Sequence, residues 1–133
     1  MANEFTKVEL YGANNDGTPR RYKIADATSV SQGATLALSD PRTVVATSKS
    51  TIINAGVAAE DHGANLGVTD ISVWTDGIFE AVASDAITVG SPITFVESNK
   101  IQAARNAASG ASIAGYALET AAAGETINVR VQL

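Results

Sequence analysis

The sequence predicts an all-β protein: a compact small β-barrel or sandwich with an extended N-terminal arm. Three observations lead there. No window of about 11 residues sustains apolar spacing at three and four, as a helix burying one face requires. β-Branched residues and short alternating runs recur instead. Gly, Asn, Asp and Ser break those runs at short intervals and supply turns. The 133 residues fit one domain, and the expected division is an arm over 1–19 and a single β domain over 20–133.

The first expected strand, 5–11, alternates through Phe5-Thr6-Lys7-Val8-Glu9-Leu10-Tyr11. The polar break Gly12–Pro19 follows. Two readings of this start stand. It is a detachable arm that adds a strand to another protein's sheet edge, where backbone hydrogen bonds give affinity and alternate side chains give register. Or it is the ordinary first strand of the domain. Further strands are expected at 20–25, 34–38, 42–48, 54–59, 69–75, 77–83, 93–97, 99–103, 112–119 and 125–132.

Two hairpins are expected. Asp76-Gly77 separates Asp70–Thr75 from Ile78–Val82, and Asp-Gly suits a two-residue turn because both positions tolerate positive φ. That turn sets Trp74 opposite Phe79 on one face and Ile71, Val73, Ile78 and Val82 on the other. Both faces are apolar, so one is expected on the core and the other on a neighbouring subunit. At the C-terminus Ile127, Val129, Val131 and Leu133 alternate with Asn128, Arg130 and Gln132, a half-buried strand. Its expected partner is 112–119, through a turn at 120–124.

Composition narrows the function. Of the apolar residues, 24 are Ala, which leaves a core lean in large side chains and suits stabilisation by self-association. There is no Cys, hence no disulfide framework or thiolate metal site. Met-Ala-Asn-Glu-Phe has no basic segment followed by an apolar run, so synthesis in a cytoplasm is expected. No stretch reaches the roughly 18 apolar residues of a membrane helix, and no membrane partner is expected. Net charge is −5, unevenly placed: residues 1–50 hold six bases against five acids, and residues 51–133 hold three against nine. That acidic body argues against nucleic acid, which requires clustered Lys and Arg.

Catalytic, cofactor and metal residues are expected to be absent. His62, the single His, follows Glu60 and Asp61, and adjacent positions on an extended chain point apart instead of converging on a metal; a surface loop is expected there. Gly110-Ala111-Ser112-Ile113-Ala114 approaches a nucleophile elbow but has Ala in place of the second Gly, and Ser112 enters a strand. Asn14, Asp16 and Gly17 match part of a calcium loop, yet Gly12 and Lys23 stand where carboxylates belong. Ser48-Lys49-Ser50 lacks the glycines of a phosphate loop. Trp74 with Phe79 suits subunit-interface or core packing, or a sugar-stacking platform. Arg20-Arg21-Tyr22-Lys23 suits either a grip on an acidic partner or a solvated, charge-protected edge strand.

The order of several segments resembles a family of small capsid decoration (cement) proteins of tailed bacteriophages. These are Gly56–Glu60, Ile71–Phe79, Ile87–Ile93, Ile113–Glu119 and Ala123–Val129, and the resemblance covers roughly 35–133. It implies a compact β domain, usually a homotrimer, on the exterior of an expanded phage head, bound to the major capsid protein at three-fold or quasi-three-fold positions and bracing it. No catalytic residues or cofactors come with the family. The expected capsid-binding residues are Phe5, Lys7, Val8, Leu10, Tyr11, Arg20, Arg21 and Tyr22, and the expected subunit interface holds Trp74, Ile78 and Phe79. The alternative is a carbohydrate-binding or host-attachment β module displayed on the virion.

Overall fold

The computed structural model describes residues 3–10, 19–40, 42–48, 53–104 and 112–133. It is all-β, with eleven strands, each falling on one of the expected segments. They are β1 (Thr6–Leu10), β2 (Arg20–Ile24), β3 (Thr35–Asp40), β4 (Thr43–Ala46), β5 (Asn54–Ala58), β6 (Asp70–Trp74), β7 (Asp76–Ala83), β8 (Pro92–Val96), β9 (Lys100–Ala103), β10 (Gly115–Ala117) and β11 (Thr126–Gln132).

The first five strands after β1 close into a barrel in the order β2-β4-β3-β5-β6. The remaining five run β7-β11-β10-β8-β9, and a β7–β9 pairing joins the ends into a second ring. The two rings share one topology. In each, the first and third strands pair in parallel (β2–β4, β7–β9) and every other pairing is antiparallel. An isolated bridge lies at the same place in each, Val30↔His62 and Ile87↔Ala121. Gly33 donates to Ala58 O and Gly90 to Ala117 O, both at 2.8 Å. A carboxylate closes the same gap twice: Glu60 accepts the Ser72 N–H at 2.8 Å, and Glu119 accepts the Asn128 N–H at 3.0 Å. The chain is therefore a structural duplication. Its trace in the sequence is Ala55-Gly56-Val57-Ala58-Ala59-Glu60 against Ala114-Gly115-Tyr116-Ala117-Leu118-Glu119.

Glycine is required at the repeated position for close approach. A Cβ on Gly56 would lie 2.5 Å from Trp74 O, and one on Gly115 would lie 1.8 Å from Arg130 O.

Each barrel has its own core, the first around Leu36, Val44, Ile71 and Val73, the second around Phe79, Ile93, Ile101 and Val129. The seam between them extends the second core outward. Val57 and Trp74 belong to strands of the first barrel but pack into the second barrel's cluster. The Trp74 and Phe79 rings lie 5.9 Å apart, and Phe5 completes the aromatic group against Phe79 (6.1 Å) and Phe95 (5.5 Å, edge-on). Two buried amides tie the seam's polar backbone. Asn54 Nδ2 donates to Thr94 Oγ1 (3.0 Å) and Ser112 O (2.8 Å), while its Oδ1 accepts the Phe95 N–H (3.2 Å). Asn99 Oδ1 accepts the Thr35 N–H at 3.0 Å.

The expected C-terminal hairpin forms as β10–β11, with Ile127, Val129 and Val131 buried. The Asp76-Gly77 hairpin does not. β6 pairs with β2 and β5 in the first barrel, whereas Asp76 and Gly77 are themselves β7 residues, opposite Gln132 and Val131. The chain changes barrels at Thr75. Gly77 (φ 155°) serves a close crossing instead of a turn, since a Cβ there would lie 2.6 Å from Glu9 O on β1. Local turn chemistry lost to two barrels that each needed the strand as a wall. Of the two apolar faces, Trp74 and Phe79 pack into the second core, Ile71 and Val73 into the first, and Ile78 and Val82 are half-buried.

The N-terminal strand also pairs within the chain. β1 pairs with β7, Phe5 is buried, and the Phe5 N–H donates to Gly33 O of the first barrel at 2.8 Å. Residues 5–10 thus join the body; 11–18 lie outside the described residues.

Trp74→Ala should cost about 3–5 kcal/mol, as large-to-small changes in packed sites do, read from urea unfolding. Gly115→Ala should cost about 1–3 kcal/mol by overpacking against the β11 backbone, read the same way. The Ser72 backbone N–H, the Ser72 side chain and Arg21 hold the Glu60 carboxyl below its ordinary value, in that order of effect. A carboxyl depressed in the folded state stabilises above its unfolded value, and the contribution fades as pH falls through the folded value. Glu60→Gln should therefore lower the urea midpoint at pH 7, and the gap to wild type should narrow as pH falls below the ordinary glutamate value and through the depressed one.

Candidate protein-binding surface

The structure divides the expected binding residues between core and surface. Phe5 fills the seam, and Leu10 is half-buried against the second core. Lys7 and Val8 are exposed on β1, with the Lys7 ammonium 5.4 Å from the Trp74 ring centroid. Tyr11 lies outside the described residues. Arg20, Arg21 and Tyr22 follow one another on β2, with the arginines exposed and Tyr22 half-buried.

Their electrostatics are local. Arg21 pairs with Glu60 at 3.1 Å and approaches Asp70 at 3.9 Å, and it donates to Ser72 Oγ at 2.8 Å. Arg20 Nε donates to Thr75 Oγ1 at 3.3 Å. The Arg42 guanidinium sits 5.4 Å over the Tyr22 ring and donates to Arg21 O at 2.7 Å. The result is an exposed edge of guanidinium groups whose orientation is set by neighbours on β6 and before β4. Arg42, which completes this edge, was not legible from the run Arg20–Lys23. Only the pairing of β2 with β4 brings it there.

The expected interface trio is corrected. Phe79 is fully buried and Trp74 nearly so (7% exposed), because both rings fill the seam inside one chain. Only Ile78, half-buried between Glu9 and Arg130, reaches the surface. A shallow recess of about 230 Å³ beside Trp74 is lined by Phe5, Thr6, Lys7 and Gln32. A sugar-stacking platform needs an open ring face, and this ring is covered by Phe79 and Lys7.

Glu60, Asp61 and His62 point to three different backbone partners. Glu60 takes Ser72 N–H, Asp61 Oδ1 takes Gln32 N–H at 2.7 Å, and the His62 ring nitrogens lie 2.6 Å from Thr28 O and 2.7 Å from Val68 O. His62 is buried, which corrects the expected surface loop: the ring staples two loops together. Ser112 is likewise structural, its Oγ accepting the Asn54 N–H at 2.8 Å. No group of three metal-ligating side chains occurs among the described residues. Asn54, Asn99 and the outer residues of β10 were missed from the sequence. The internal repeat marks β10 in the sequence; no signal marks Asn54 or Asn99.

No curated protein matches the sequence. Among solved structures, the crystal structure of the head fiber gp8.5 N base in bacteriophage phi29 is similar, with a TM-score of 0.53 and 18% identity; the match covers 85% of this chain and 93% of that one. At that identity the likeness concerns the fold, and it spans both barrels. Residues 19–133 match the model of the phage cement proteins, and with that coverage the chain belongs to the phage cement protein family, structural proteins of the virion.

Proposed function

We propose that this chain is a cement subunit that binds the outer surface of the expanded phage head as a homotrimer, contacts the major capsid protein and stabilises the shell. The observation that carries the reading is the cement-family match across both barrels. The architecture supports it. Asn54, Glu60, Asp61 and His62 tie separate stretches of backbone together, which suits a rigid spacer between capsid subunits. A cement gains its effect by joining several weak contacts, since linked sites bind far more tightly than one alone. The acidic second half keeps a protein needed at high copy number soluble.

Within this reading the exposed Lys7, Val8, Arg20 and Arg21 and the half-buried Tyr22 contact the capsid, and the buried Phe5 and half-buried Leu10 fix β1 in place. Purified protein should co-sediment with expanded heads, not with unexpanded ones, and should raise the temperature at which heads release DNA. Failure to bind expanded heads would sink the reading. The double variant Lys7→Glu/Arg21→Glu should weaken head binding about tenfold at low salt, a loss that shrinks near 0.5 M salt as exposed charges are screened.

A further inference from the structure

The two barrels present the same outer face in different states. In the first barrel that face carries Asn54, Val57, Ala59 and Trp74, and it is covered by the second barrel through the seam. The duplication places Ile113, Tyr116, Leu118 and Arg130 at the matching positions of the second barrel. The strand registers agree: Val57 faces Thr35 across β5–β3, and Tyr116 faces Pro92 across β10–β8. The matching outer position before β3 is Gln32, and before β8 it is Val89.

Nothing within the described chain covers the second face. Val57 is fully buried, but Tyr116 is 40% exposed, Leu118 37%, Val89 56% and Ile113 56%. Neighbouring strands hold these side chains together, since Gly90 donates to Ala117 O and Ala114 to Ile93 O. The substitution pattern is also informative. Where the first barrel has Asn54, Ala59 and Gln32, the second has the larger apolar Ile113, Leu118 and Val89, while Arg130, in place of Trp74, is held by Asp76 at 2.6 Å. Contiguous exposed apolar residues with an aromatic at the centre mark protein interfaces.

We infer that this outer face, centred on Tyr116 and Leu118, is a self-association surface whose occupant is a second copy of this chain. The argument for that occupant is continuity: on the first barrel the equivalent face is covered by another barrel of the same kind. The inference names the surface that would hold together the trimer proposed above and rests on that reading.

The test uses the full chain and the double variant Tyr116→Glu/Leu118→Glu, with Leu66→Glu as an exposed apolar control on the loop before β6. Sedimentation equilibrium at about 10–100 μM, where such interfaces are populated, should give wild type and the control an oligomer mass and the double variant a monomer mass with unchanged far-UV circular dichroism. A wild type that stays monomeric, or a double variant that keeps the wild-type mass, overturns the inference. If the variant keeps its mass but loses expanded heads, the capsid occupies this face instead, and self-association there is overturned. A dimer lost in the variant keeps the face and removes the trimer. Wild-type failure on heads with the mass shift intact removes the cement reading alone. If the double variant proves unfolded, Tyr116→Ser is to be compared in the same way.

Discussion

The seam between the two barrels is the contact on which the rest of the molecule depends. Neither ring alone has a large aromatic core: the three phenylalanines and the tryptophan all gather at or behind the seam, around Phe79. Stability is thus concentrated where the halves meet. An apolar seam is non-directional, and the amides of Asn54 and Asn99 supply what dispersion lacks, a fixed register. Because each amide reaches from one barrel to the backbone or hydroxyls of the other, sliding the barrels would strand buried polar groups.

Duplication explains why one chain can have a covered and an uncovered version of the same surface. It also explains the charge asymmetry. Bases cluster on β2 and the turn before β4, while the second half is acidic, so the copies have diverged in surface chemistry while keeping strand order, bridges and the carboxylate caps at Glu60 and Glu119.

Strand positions were legible from the sequence because alternation and β-branching report local burial, and all eleven segments are strands. Pairing was not. Asp76-Gly77 carries the local chemistry of a hairpin, but pairing is decided by which walls two closed rings require, and that information lies in residues about fifty positions away, at Val131 and Gln132. Trp74 and Phe79 were rightly singled out as an aromatic pair, and they do touch. They touch across a barrel boundary and not across a hairpin, which removes them from the subunit surface. The repeat at Ala55–Glu60 and Ala114–Glu119 stood in plain letters; three of its four identities are Ala or Gly, and only the structure shows that the glycines mark close backbone approaches.

The shared topology has a kinetic side. Each ring strand has a look-alike in the other half, so a nascent or refolding chain has wrong partners of nearly correct shape, the hazard of misassembly familiar in repeat proteins. The His62 staple bears on this. Its ring ties the Thr28 and Val68 loops within the first barrel, while the matching position in the second is Ala121. A ring closed by its own side chain before the seam forms would leave the later strands fewer wrong partners to take.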